Sequence, residues 1–175
     1  EEIEEEEVTA KEDIPESQEQ EKAVLEPHNF RIQDNDLGAG GPKAKYKANM
    51  EAIHLLQTLE KEERLATPEE QEILSRYVGW GGIPQAFEES NSSWANEYLE
   101  LKNTLSPEEY SAARASTLNA FYTSPTVIRS MYEALENMGL KQGNILEPSC
   151  GVGNFMVLIP ESMSKTNMYG VELDP

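Results

Sequence analysis

The sequence predicts an α/β chain in which a mostly helical N-terminal region leads into the first strand, helix and strand of a parallel sheet. Three observations carry that reading. Two helix starts share one grammar, Thr67-Pro68-Glu69-Glu70 and Ser106-Pro107-Glu108-Glu109. An apolar stripe recurs at helical spacing from Tyr46 to Leu59. Near the C-terminal end, a turn with two glycines separates two short apolar runs, each followed by an acid.

Charge divides the chain before any element is placed. Residues 1–26 hold 12 acids and 2 bases, a net −10, which leaves −9 of the total −19 for the rest. That segment has no aromatic residue, and its few apolar residues are too widely spaced to bury a face, so it reads as a disordered acidic linker. An acidic mimic of nucleic acid is the functional alternative. No run approaches the length of a membrane span, and no basic-then-apolar leader is present. One cysteine excludes a disulfide framework and suits a reducing cytoplasm. The start at Glu1 and the stop at Asp174-Pro175, just after a second candidate strand, suggest a piece of a longer polypeptide.

Residues 27–118 form the mainly helical region. Pro27 to Ile32 suits a short edge strand, and the glycines around Gly38 to Pro42 suit a loop that lacks the Gly-Lys-Ser/Thr of a phosphate-binding P-loop. Lys43, Lys45 and Lys47 follow as the densest basic run; with Arg76 they are the candidate nucleic-acid contacts, against the plainer reading of a solvated first helical turn. Tyr46, Met50, Ile53, Leu56 and Leu59 predict an amphipathic helix over about Lys43 to Arg64. His54 beside that stripe reads as structural, because His28 and one distant cysteine cannot complete a metal site.

Thr67 and Ser106 each place a hydroxyl at the helix cap, proline at the first helical position and glutamate at the third, where its carboxylate reaches back to the cap amide. The first of these helices should run to about Tyr77 and the second to about Leu118, with a short helix over Glu97 to Asn103 between them. Gly79-Trp80-Gly81-Gly82 reads as a tight turn anchored by the indole, with base stacking by Trp80 as the alternative. Ser124 and Pro125 then open a helix whose apolar stripe is Val127, Ile128, Met131, Leu135 and Met138, stopped by Gly139.

The chemistry lies in residues 119–175. Asn144 to Phe155 reads as a strand that hands over to a helix through Gly151 and Gly153, and Glu172 follows Gly151 by 21 residues. That interval is close to the one at which a βαβ unit presents a carboxylate to a ribose. A dinucleotide-binding loop would want a small residue where Met156 stands. Glu147-Pro148 places an acid before the glycines, which would repel a pyrophosphate but hold an ammonium. The cofactor these residues favour is S-adenosylmethionine.

Glu147-Pro148-Ser149-Cys150-Gly151-Val152-Gly153-Asn154-Phe155 resembles the first motif of the class I methyltransferases, in the form used by DNA adenine enzymes. Phe121-Tyr122-Thr123-Ser124-Pro125 is similar to the segment that precedes it in that group, and Tyr77 to Phe87 looks like the large methylase and SNF2-type helicase polyproteins of phages and conjugative elements. The resemblance implies a Rossmann-like fold and methylation of the N6 amine of adenine in DNA. It implies that Glu147 holds the methionine ammonium, directly or through water, with Pro148 beside it among the cofactor-binding residues, that Gly151 and Gly153 let the backbone approach the cofactor, and that Glu172 accepts the ribose hydroxyls. Tyr122, Thr123 and Ser124 would line the methionine end, and Cys150 would have no nucleophilic role.

The sequence contains no Asn-Pro-Pro-Tyr or Asp-Pro-Pro-Tyr, the motif with which such enzymes orient the target amine. No catalytic residue is therefore expected here, and the 175 residues alone should not transfer a methyl group. DNA contact is expected mainly outside this piece, and its incomplete sheet should favour self-association. A non-enzymatic helical interaction module and an NAD-binding oxidoreductase fragment are the competing classes. Neither a membrane nor a metal partner is expected.

Overall fold

The computed structural model describes residues 30–172. The acidic segment 1–26, the first half of the expected edge strand and residues 173–175 lie outside the described residues. Six helices and a two-stranded parallel sheet follow one another in the described part. They are α1 (Pro42–Glu62), α2 (Pro68–Ser75), α3 (Ala95–Thr104), α4 (Pro107–Ser116), α5 (Pro125–Asn137), β1 (Asn144–Glu147), α6 (Asn154–Val157) and β2 (Asn167–Gly170). The fold is mixed α/β. No helix among the described residues is long and apolar enough to cross a membrane.

The caps form as their chemistry requires. Thr67 Oγ1 accepts from the Glu70 amide while the Glu70 carboxylate accepts from the Thr67 amide, and Ser106 and Glu109 repeat the exchange. Each box satisfies two amides that the first turn of a helix leaves without intrahelical partners. Arg64 adds a bidentate pair to Glu70, 2.7 Å on each arm, and together these contacts hold the Glu70 carboxyl down to about 2. At the far end of α1, Glu63 adopts the left-handed conformation with φ 51°, which a side chain resists.

The helical region closes around Trp80. Its indole is 2% exposed and meets Tyr46, Tyr77 and Phe87 with ring centroids 6.1, 6.4 and 5.4 Å away. Met50, Ile83, Ala86, Trp94 and Leu101 complete this first core. Trp80 is thus a packing residue, with its faces already covered by protein. Of the expected α1 stripe, Tyr46, Met50 and Leu59 are buried and Ile53 is half-buried, whereas Leu56 is exposed. Asn49, a polar residue, takes a fully buried place on the same helix.

A second core forms from Ile32, Ile128, Tyr132, Leu158 and Met163, with Phe30, Leu37, Ile145 and Phe155 packed against it. The segment 30–37 therefore packs with the sheet unit although α1 to α4 follow it in sequence. It adds no strand to the sheet. Arg129 on α5 holds it instead, donating to the Ile32 carbonyl at 2.6 Å and to Asn35 Oδ1 at 3.0 Å. On α5 the buried positions are Pro125, Ile128 and Tyr132; of the expected stripe Ile128 is buried and Leu135 half-buried against the second core, while Val127, Met131 and Met138 are exposed. Tyrosine wins the inward place because its ring fills the core and its hydroxyl finds a carbonyl.

β1 and β2 pair in parallel, Asn144 with Asn167 through Glu147 with Gly170. Ile145 turns into the second core, and the register partners Leu146 and Tyr169 remain 61% and 54% exposed. One face of this small sheet is therefore open, although parallel sheets are ordinarily covered on both.

Two substitutions should move stability in opposite directions. Glu63→Gly removes a side chain from a left-handed position and should raise the unfolding free energy by about 0.5–1 kcal/mol. Ser106→Ala breaks a capping box and should lower it by about 1 kcal/mol. Urea denaturation followed by circular dichroism reads both.

Candidate functional site

The site is built where β1 ends. Past Glu147 the chain turns through Pro148 and Ser149, and the parallel ladder continues across the turn. The Cys150 amide donates to the Val171 carbonyl at 3.0 Å, and the Val171 amide donates to the Glu147 carbonyl at 2.9 Å. Gly151 and Gly153 follow with φ of 51° and 79°, conformations in which the missing side chain matters. The Gly153 amide closes the turn onto the Cys150 carbonyl at 2.8 Å, and α6 begins at Asn154.

Glu172 completes the arrangement from the other strand. Its Oε2 accepts from the Gly151 amide at 2.6 Å, so the acid and the glycine loop meet in space. Glu147 is half-buried at the start of the loop, and Glu172 is exposed at its mouth. Two carboxylates thus flank a turn of left-handed glycines.

The glycines do different work. A Cβ on Gly151 would stand 2.6 Å from Cε1 of Tyr122, so its absence makes room for that ring. A Cβ on Gly153 would meet nothing within 4 Å, so this is the position where the loop backbone faces open space. Gly170 on β2 answers Met156 on α6: a Cβ there would collide with the end of the Met156 side chain and lie 3.0 Å from Cys150 Sγ. The close approach of helix and strand, which the glycine-loop pattern expects from a small residue at 156, is made by a glycine on the strand instead.

Tyr122 is half-buried against the loop. Thr123 and Ser124 are exposed at the start of α5, and Ser124 occupies the cap position without its hydroxyl capping the helix. Tyr132 lies beneath the loop, its hydroxyl donating to the Phe155 carbonyl at 2.6 Å. Burial raises its pKa to about 12, with a further contribution from the charge of Glu147.

The structure therefore gathers Tyr122, Glu147, Pro148, Gly151, Gly153 and Glu172 at one end of the sheet, with Thr123 and Ser124 leading into α5. The basic candidates are elsewhere. Lys43 pairs with Glu97 and sits 4.1 Å over the Trp94 ring, Lys47 pairs with Glu51 at 3.7 Å, and Arg76 pairs with Glu72 at 2.9 Å. Lys45 is half-buried on α1. His54, expected to be structural, is exposed, with its ring 3.4 Å from Thr104 Oγ1. Among the described residues, no group of three or more His, Cys, Asp or Glu side chains is placed to hold a metal.

Clefts of about 490 to 630 Å³ open among the described residues, one lined by Arg31, Arg129 and Glu136 and another reaching Met156 and Tyr169 beside the site. Gly170 and Tyr132 escaped the sequence reading; the signal for Gly170 was a glycine ending the second apolar run.

No family model, curated protein or solved structure matches the chain.

Tyr132 supplies a pH test of the site. Its folded pKa of about 12 lies above the ordinary 10.0, so the stability it contributes is complete below pH 10 and is lost as the pH rises from 10 to 12. Glu147→Gln should lower the Tyr132 pKa while leaving it above 10, since burial is the larger cause. Ultraviolet titration of the phenolate, with Tyr132→Phe as reference, measures the shift.

Proposed function

We propose that residues 119–172 form the cofactor-binding part of an S-adenosylmethionine-dependent DNA methyltransferase that acts on the N6 amine of adenine. The observation that carries this reading is the 2.6 Å contact between Glu172 and the Gly151 amide. An acid 21 residues beyond the glycine lies beside the glycine loop, as a ribose-binding carboxylate must when a nucleoside occupies that loop.

The residues fit the group chemically. Glu172 accepts hydrogen bonds, which is what vicinal ribose hydroxyls require, and a nucleoside there would compete with the Gly151 amide for the same carboxylate. Glu147 offers a negative charge to an ammonium. Gly153 leaves the loop backbone open to a ligand, and Tyr122 brings an aromatic edge to the same loop. When bound, the cofactor would supply an electrophilic methyl group. These residues would hold and orient it, with the Glu147 side chain facing the ammonium.

The amine-orienting Asn-Pro-Pro or Asp-Pro-Pro segment has no counterpart among the 175 residues, so none of them is assigned to the reacting amine. DNA as the partner belongs to the same proposal. Residues 27–175 carry a net −9, and Lys43, Lys47 and Arg76 each face a carboxylate, so we place DNA contact outside this region.

Calorimetry decides between cofactors. The chain should bind S-adenosylhomocysteine and show no heat with NAD, and Glu172→Ala should weaken the former by about tenfold or more, the value of a lost charge-assisted hydrogen bond. Heat with NAD and none with S-adenosylhomocysteine would reverse the assignment.

A further inference from the structure

Tyr122 stands between two glycines that belong to different parts of the fold. One edge of its ring faces Gly151, whose Cβ would lie 2.6 Å from Cε1 and 3.1 Å from Cδ1. The opposite edge faces Gly79 in the turn after α2, whose Cβ would lie 2.7 Å from Cε2 and 3.2 Å from the hydroxyl oxygen. The ring thus spans the gap between the helical region and the glycine loop, with too little space at either edge for one methyl group.

Gly79 is itself held from α1. Asn49 is fully buried, and its side-chain amide grips the turn with both of its polar atoms. Nδ2 donates to the Gly79 carbonyl at 2.7 Å, and Oδ1 accepts from the Val78 amide at 2.9 Å. A buried amide is kept where all its bonding capacity has a use, because leaving such groups unpaired is costly. The two bonds fix the position of the Gly79 backbone against which Tyr122 rests. Beyond the ring, Gly151 donates to Glu172.

We propose that Asn49, Gly79 and Tyr122 form a mechanical link through which the helical region sets the conformation of the glycine loop after β1, with Asn49 as a positioning residue that never touches the ligand. The ring transmits position because it is rigid and confined at both edges. Displacing Gly79 toward the ring drives the opposite edge into Gly151 and disturbs the amide that Glu172 accepts. The consequence for the cofactor rests on the S-adenosylmethionine reading; the link itself does not.

Gly79→Ala tests the link, with Gly139→Ala as its control. Both glycines have a positive φ, 71° and 91°, so both substitutions strain the backbone, but a Cβ on Gly139 meets nothing within 4 Å. In proton–nitrogen correlation spectra of the full chain, Gly79→Ala should shift the Gly151 amide and Gly139→Ala should leave it in place. The shift should vanish when Gly79→Ala is made in a Tyr122→Ala background, since the ring is the transmitter. Asn49→Asp keeps the acceptor for Val78 and loses the donor to Gly79, and should also shift the Gly151 amide, again only while Tyr122 is present.

In calorimetry, Gly79→Ala should weaken S-adenosylhomocysteine binding by roughly tenfold or more and Gly139→Ala by less than about twofold, since small misplacements in a binding constellation cost that much. A Gly151 amide unmoved by Gly79→Ala, or moved equally with and without Tyr122, overturns the link. Unchanged affinity in Gly79→Ala overturns its role in the site. A wild-type chain that does not bind S-adenosylhomocysteine removes the cofactor reading, and the Gly151 amide then decides the link alone.

Discussion

The helical region depends on the burial of one indole. Trp80 draws rings from α1, from the end of α2 and from the turn at Pro84–Phe87 into edge and tilted contacts, the orientations that aromatic quadrupoles favour. The glycines on either side allow this. Gly81 has no room for a side chain, because a Cβ there would collide with the Ala120 carbonyl, and the Gly82 amide donates to Thr117 at 3.2 Å. The turn is therefore packed on both flanks by the chain that leads into α5. A large ring and small neighbours are one constraint, and neither works without the other.

Much of this was legible in the sequence where the determinant is local. The capping boxes at Thr67 and Ser106 formed at the expected residues, because a hydroxyl, a proline and a glutamate at fixed offsets satisfy amides within one turn. The strand, glycine turn and second strand were legible for the same reason. The α5 stripe was legible only in part, at Ile128 and Leu135. Val127 and Met131 rank above Tyr132 in hydropathy, but the face turned inward was decided by the neighbours of Ile128, which periodicity alone does not reveal.

The candidate residues were chosen from the sequence, and the contacts between them were not visible there. Glu172 and Gly151 were chosen by spacing, whereas the hydrogen bond between them requires β2 to lie beside β1 in the observed register. Asn49 gave a weak signal, a polar residue on the same helical face as Tyr46 and Met50, and its two partners lie 29 and 30 residues away. The basic run at Lys43 was visible in sequence, but its carboxylate neighbours were not, and they change what that run offers to a phosphate. Exposed pairs of this kind add little stability, yet they neutralise the surface they occupy.

The segment 30–37 gives the molecule a particular order of assembly. Arg129 reaches its partners across 94 and 97 residues of sequence, and Ile32 finds its core beside Ile128. The helices around Trp80, by contrast, close on one another across shorter separations, such as the 51 residues between Tyr46 and Glu97. In a chain made from the amino end, that first core can collapse while Ile32 still waits for residues not yet synthesised. Docking of segment 30–37 onto α5 then closes a long loop, a step whose entropic cost grows only slowly with loop length.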